Sequence, residues 1–192
     1  MHSAFQYNQY LLKRQVIALT GTFRIYNPSG VLVLYSQQKI LRLKEDIRVF
    51  TDESRAQELL YIQARQVIDF AASYDVYDSL SNERIGMLRR KGLSSLVRDN
   101  WQVFDSDEQQ IGILLEDNFT RAFIRRVLLG SFLPLRYDLL LADIRAASIN
   151  QHFNLLRYEL DLDFIIDPLH NIDRRLGIAA ALLLATIEGR QN

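Results

Sequence analysis

The pattern of apolar and polar positions changes abruptly near the end of this 192-residue chain. Between residues 176 and 187 the only polar side chain is Thr186, and most of the run is Ala and Leu, which are strong helix formers. The run therefore predicts a helix that is apolar around its whole circumference and must be surrounded. A membrane span needs about 20 apolar residues. This run is shorter, so we expect a coat of protein rather than lipid.

Most of the chain before this run shows the period of two that is typical of half-buried strands. The regions predicted as strand are 10–20, 22–26, 31–35, 38–50, 58–70, 74–78, 85–88, 101–105, 111–114, 135–149 and 152–166. Residues 52–65 also satisfy helical spacing, so a helix remains an alternative there.

Three predicted hairpins, 22–35, 74–88 and 101–114, share one design. The second and third read aromatic-x-Val-aromatic-Asp, then a polar turn, then Ile-Gly. We expect Gly86 and Gly112 to mark a bulge or a close backbone approach. Because bends of this kind help a sheet to close, the repeats favour a curved antiparallel sheet around the last helix.

A second helical pattern covers residues 117–130. Apolar residues recur at helical spacing, Asp117 can cap the first turn, and Gly130 stands at the expected C-terminal end. The pattern predicts a short amphipathic helix near 118–130. The last helix is expected to start at Asp173 or at the earlier pair 167–168.

Residues 74–88, 95–114 and 173–188 together resemble the tubby C-terminal-domain-like superfamily, in its phospholipid scramblase and LURP-one-related branch. The resemblance implies a mainly β fold, a closed antiparallel barrel of about twelve strands threaded by the C-terminal helix. Packing points the same way, because a barrel of about eight strands is already filled by its own side chains. Tubby proteins bind phosphoinositides and scramblases are linked to lipid movement, so the resemblance implies a function connected with lipids.

Composition narrows the class of protein. The length suits one domain, 1–192, and no linker-like stretch divides it. Lys plus Arg and Asp plus Glu are 23 each, so the positive excess of a dedicated nucleic-acid binder is lacking. The chain has no Cys, which excludes disulfides and thiolate metal sites. Residues 1–15 lack the apolar core of a signal peptide. We expect a cytoplasmic protein, with peripheral contact to a membrane as an extension of that expectation.

Motifs for catalysis are not found in the sequence. Its three histidines are far apart, and it contains no nucleophile elbow, Gly-rich phosphate loop or dinucleotide fingerprint. Asp161 and Asp163 alternate on one strand, a pattern typical of a solvated face. We therefore expect no catalytic residues, no metal site and no cofactor, and the protein is not predicted to be an enzyme.

Basic residues group beside aliphatic ones in two stretches, and groups of this kind can hold a phosphate or an anionic membrane surface. The candidate ligand site comprises Arg89, Arg90, Lys91, Arg125 and Arg126. If a strand runs through Arg89 and Arg90, alternation puts them on opposite faces. The alternative is a solvated face whose cations pair with nearby acids.

Two functions follow from the sequence. The first is a non-enzymatic binding module for anionic lipid headgroups or other phosphate-bearing ligands at the membrane surface. The alternative is an intracellular scaffold or regulatory protein that acts through protein–protein contacts. Anionic lipid or a protein is accordingly the expected partner, whereas nucleic acid and a transmembrane span are not expected.

Overall fold

Twelve antiparallel strands form a closed barrel in the computed structural model, which describes residues 1–15, 20–39, 46–65, 72–90, 100–116, 136–152 and 157–187. The strands are β1 Gln9–Gln15, β2 Thr20–Tyr26, β3 Leu32–Lys39, β4 Ile47–Phe50, β5 Glu58–Ala64, β6 Ser73–Asp78, β7 Glu83–Arg90, β8 Asn100–Asp105, β9 Gln110–Glu116, β10 Arg136–Leu141, β11 Ile144–Gln151 and β12 Arg157–Asp163. Each strand pairs with its neighbours in the chain, and β1 pairs with β12 to close the ring. The predicted twelve-stranded barrel is confirmed.

The C-terminal helix, Arg174–Ile187, lies inside this ring. Its apolar side chains from 176 to 185 are at most 2 % exposed. The helix contacts strands on opposite sides of the barrel: Leu176 packs beside Gly86 of β7, and Arg14 of β1 donates a hydrogen bond to the Ala185 carbonyl at 3.3 Å. The predicted enclosure of the helix is therefore confirmed. The helix begins directly after Asp173, one of the two predicted starts.

The barrel has two different ends. We call the end where the C-terminal helix begins the upper end; it carries the turns at 27–31, 51–57, 79–82, 106–109 and 142–143. We call the opposite end, where β7 and β9 finish, the lower end. A short 3₁₀ helix, Ser3–Phe5, precedes β1 at the upper end.

Every upper-end hairpin carries a one-residue bulge in its second strand, which shows as a shift in strand register. The extra residues are Val33, Leu59, Ile85, Ile111 and Ala146. The first four follow one another at equal spacing along the chain. The repeat seen three times in the sequence thus extends to five hairpins, and the bulges bend the strands around the helix.

Gly86 and Gly112 directly follow the bulged residues, as predicted. A Cβ atom at Gly86 would lie 2.3 Å from the carbonyl oxygen of Phe104, and one at Gly112 would lie 2.3 Å from that of Leu140. Real Cβ atoms do not approach a carbonyl oxygen so closely. Both positions therefore require glycine for close backbone approach.

Two predicted regions differ from the structure. The helical alternative for 52–65 is wrong, because a turn at 51–57 leads into β5. The strand region 135–149 contains a hairpin, with a turn at Ala142 and Asp143, whose φ angles are 45° and 68°. Neither residue is glycine, so the usual turn signal is missing. The helix predicted near 118–130 lies outside the described residues.

Candidate functional site

Arg89 and Arg90 are the last two residues of β7, and the strand runs through both of them. Arg90 lies opposite Trp101, which is only 2 % exposed and belongs to the hydrophobic core. Residues directly opposite in an antiparallel pair share a face of the sheet. Arg90 is therefore on the inner face and Arg89, opposite Gln102, is on the outer face.

Arg89 is held in place by two neutral neighbours on the outer face. Its Nε donates a hydrogen bond to Ser73 Oγ at 3.3 Å. Its guanidinium carbon lies 4.8 Å from the centre of the Phe104 ring, a cation–π distance. Within the described ranges, no carboxylate forms an ion pair with Arg89. Its two Nη atoms can therefore donate to an approaching ligand.

Two other outward-facing arginines, Arg48 and Arg84, are already neutralised. Arg48 lies over an aromatic ring as Arg89 does, but its Nη1 is 2.7 Å from a Glu58 carboxylate oxygen. Arg84, which follows the second repeat's turn, bonds Asp75 at 2.9 Å and Glu108 at 3.1 Å. Arg48 and Arg84 are thus paired with carboxylates, whereas the described neighbours of Arg89 are a hydroxyl and an aromatic ring.

The other three residues of the predicted site, Lys91, Arg125 and Arg126, lie outside the described residues. The segments that carry them, 91–99 and 117–135, follow β7 and β9, and both strands finish at the lower end. One strand, β8, separates β7 from β9, so these two strands lie about 10 Å apart.

The interior of the lower end is polar. Arg14, Arg90 and Glu116 all occupy inward positions there, and Glu116 lies opposite Tyr137. Glu116 is only 3 % exposed. Sequence reasoning did not find this layer, because the last polar residue of each strand looked like ordinary alternation. The sequence signal was strand alternation, which puts Arg14 and Glu116 at inward positions of their strands.

A groove of about 520 Å³ lies on the outer surface across β11, β12, β1 and β2. The polar side chains that line it include Gln9, Lys13, Tyr26, Asn150, Asp161 and Asp163. Lys13 lies 5.6 Å from the centre of the Tyr26 ring. The prediction that Asp161 and Asp163 lie on one face of their strand is confirmed, since both lie opposite outward residues of β1. The turn of the predicted hairpin 22–35 lines one side of the groove, but the pairing of β1 with β12 that forms its floor joins the two ends of the chain and has no local sequence signal.

A buried ion pair lies at the upper end, where the C-terminal helix begins. Arg174, fully buried, donates to a carboxylate oxygen of Asp167 at 2.8 Å and lies 4.4 Å from the centre of the Phe164 ring. Burial by itself raises the pKa of Asp167. Hydrogen bonds from the backbone N–H groups of Ile172 and Asn171 and from Arg174 outweigh burial, and the pKa lies below its ordinary value. This cluster anchors the start of the helix.

Catalytic geometry does not appear at any of these places. The described part of the chain contains no group of three His, Asp or Glu side chains that would suit a metal ion. Nor does it contain a helix with both the length and the apolar character needed to span a membrane.

The sequence matches the LURP-one-related family over residues 32–185, which covers the barrel from β3 onward and nearly all of the helix. The chain belongs to the LURP-one-related family. An X-ray structure of an Arabidopsis thaliana protein shares the fold with a TM-score of 0.53 and 11% sequence identity, covering 97% of this chain and 95% of that chain. No curated protein matches the sequence. The LURP-one-related part of the predicted resemblance is confirmed.

Proposed function

We propose that this LURP-one-related protein is a non-enzymatic binding module for phosphate-bearing ligands, namely anionic lipid headgroups at a membrane surface. Arg89 carries the proposal. It is an outward arginine oriented by Phe104 and Ser73, with no carboxylate partner in the described ranges. The planar guanidinium engages phosphate oxygens in pairs. Because its neighbours already fix its direction, little side-chain freedom is lost on binding.

The proposed site extends from Arg89 toward Lys91, Arg125 and Arg126. Arg90 faces the interior, so in this proposal it does not share the outer ligand. We also propose that the protein belongs to the wider tubby and scramblase superfamily and that residues 1–192 form a single domain. Its proposed location is the cytoplasm, at the periphery of a membrane. The LURP-one-related family is not a known enzyme family, which supports the non-enzymatic part. A turnover abolished by substitution of His152 or Asp163 would contradict that part.

Co-sedimentation with vesicles tests the proposal. We expect the protein to pellet with phosphatidylcholine vesicles that contain phosphatidylserine, and not with pure phosphatidylcholine. Binding should weaken as salt is raised, because salt screens charge attraction. Arg89→Gln should weaken binding by about fivefold, since one arginine near an anionic surface contributes about 1 kcal/mol.

Arg48→Gln is the matched control. Arg48 also lies over an aromatic ring on the outer face, but Glu58 already neutralises it. We expect Arg48→Gln to bind as the wild type does. Equal binding by both variants, or no binding by the wild type to either vesicle, would contradict the proposal.

The scaffold function remains the second candidate because of one observation. Large apolar side chains are exposed at the upper end, among them Ile144 at 74 % and Leu169 at 82 %. Exposed apolar patches commonly mark protein contacts. Failure of the vesicle experiment would favour this function.

A further inference from the structure

The exposed large apolar side chains of the described residues all lie at the upper end. They are Met1, Val31, Leu80, Ile144, Ile165, Ile166 and Leu169. Single exposed apolar residues are ordinary on protein surfaces, whereas a grouping at one end is informative. The lower-end residues within the same ranges contribute none.

Five of these side chains fall in one sector of the ring. Ile165, Ile166 and Leu169 follow β12, Ile144 opens the adjacent strand β11, and Val31 leads into β3 beyond β1 and β2. We call these five residues the apolar rim. Leu80 belongs to the β6–β7 turn, which lies away from this sector.

The apolar rim borders the outer groove. Gly30, which lines the groove, directly precedes Val31, and the Ile165 backbone N–H donates to Asp163 Oδ1 at 2.7 Å. Across four strands the groove is about 14 Å wide, and from Gln9 to Lys13 it is about 13 Å long. Its volume, about 520 Å³, falls within the range of ligand pockets. It suits one long side chain and a few residues of extended backbone.

The charge of this surface selects the kind of partner. Asp161 and Asp163 lie in the groove. Asp161 is 2.5 Å from His152 Nε2, whereas the described side chain bonded to Asp163 is the neutral Gln9, whose Nε2 donates at 3.0 Å. The groove's cation, Lys13, is already 3.6 Å from the Glu159 carboxylate. Asp143 is exposed in the turn beside the rim residue Ile144, and Arg145 on the other side of Ile144 is 3.5 Å from an Asp138 carboxylate oxygen. The surface therefore attracts a cation and repels an anionic membrane.

We infer that the groove and the apolar rim dock a basic, apolar segment of a partner protein. A lysine or arginine of the segment pairs with Asp161 and Asp163 in the groove. Its neighbouring apolar side chains pack on Ile165, Leu169 and Val31. This surface is distinct from the Arg89 site, since one lies at the upper end and the other at the lower end, and the two proposals can fail separately.

Fluorescence anisotropy with a labelled peptide of alternating leucine and lysine tests this inference on the full chain. We expect saturable binding of this peptide and no binding of the matched leucine–glutamate peptide. Asp163→Asn should weaken binding by removing one charge. Leu169→Ser should weaken it about tenfold, because burial of one leucine side chain is worth roughly that factor.

Leu80→Ser is the matched control, since Leu80 is an upper-end leucine that is 55 % exposed but lies outside the rim. It should bind the leucine–lysine peptide as the wild type does. Arg89→Gln should also bind it unchanged, which separates this surface from the proposed lipid site. Equal binding of both peptides, equal effects of Leu80→Ser and Leu169→Ser, or binding of anionic vesicles that Leu169→Ser abolishes would overturn the inference.

Discussion

Replacement of Gly177 by alanine should destabilise this protein, although the same change stabilises most helices. In the interior of an exposed helix, alanine is more favourable than glycine by about 0.8 to 1.0 kcal/mol. Gly177 is the fourth residue of the enclosed helix and lies against Phe164. A Cβ atom there would lie 2.4 Å from Phe164 Cζ and 2.7 Å from Cε1.

The size of the effect follows from these distances. Carbon atoms in contact normally lie about 3.5 to 4.0 Å apart, so the ring must move by about 1 Å. Phe164 has little room, because it is fully buried, meets Tyr10 edge to face at 6.3 Å and lies under Arg174. Overpacking of this kind costs about 1 to 3 kcal/mol. Because the Phe164 ring is fully buried, we expect a cost in the upper half of this range, about 2 to 3 kcal/mol, and a net loss of about 1 to 2 kcal/mol after the gain in helix propensity.

Urea and thermal unfolding followed by circular dichroism measure this loss. A protein of this size loses about 2 to 4 °C of Tm for each kcal/mol. Gly177→Ala should therefore lower Tm by about 2 to 8 °C. In a Phe164→Leu background the same change should cost less, because the clashing ring is gone. A Tm at or above the wild-type value, or an equal cost in both backgrounds, would refute the reasoning.

Three further predictions concern the core and the upper end. Leu183→Asp should abolish cooperative folding because it buries an unpaired charge, whereas Gln109→Glu in an exposed turn should leave Tm unchanged; equal stability of the two would contradict the enclosed helix. Arg174→Met should lower the free energy of unfolding in urea by about 3 to 5 kcal/mol, because it leaves the buried Asp167 carboxylate without its cation; a loss below about 1 kcal/mol would contradict this. The pKa of Asp167 is lower in the folded than in the unfolded protein, so its stabilisation is present above the unfolded pKa near 3.8 and is lost as pH falls through the folded value. The free energy of unfolding should accordingly depend less steeply on pH below about 4 in Asp167→Asn, and an unchanged slope would argue against this role.

The sequence predicted the barrel and its enclosed helix because both rest on strong local signals. An apolar run broken only by Thr186 can be buried in few ways, and the Ile-Gly pairs at 85–86 and 111–112 predict the bulges of their hairpins. The hairpins at 47–64 and 136–151 gave no such signal. Their turns use Arg55 and Ala142 with positive φ angles of 58° and 45°, where glycine would have been the recognisable residue.

The candidate site was only partly predictable for a different reason. Alternation correctly separates Arg89 from Arg90, since it depends on the strand alone. Whether an arginine is neutralised depends on residues from other strands. Arg84 forms ion pairs with Asp75 and Glu108, whereas Arg89 packs against the Phe104 ring. The buried partner of Arg174 was missed in the same way, because sequence position does not show which acid folds against it.

Energy transfer from Trp101 to a dansyl-labelled lipid tests most directly whether the Arg89 end of the barrel meets the membrane. Trp101 is the only tryptophan and lies opposite Arg90 at the lower end, so it reports on that end. Contact through the upper end would place it about 15 Å farther from the lipid. With phosphatidylserine vesicles, we expect strong transfer for the wild type and for Arg48→Gln, and weak transfer for Arg89→Gln. Transfer that is equal in all three proteins, or missing while the wild type pellets with the vesicles, would contradict the account.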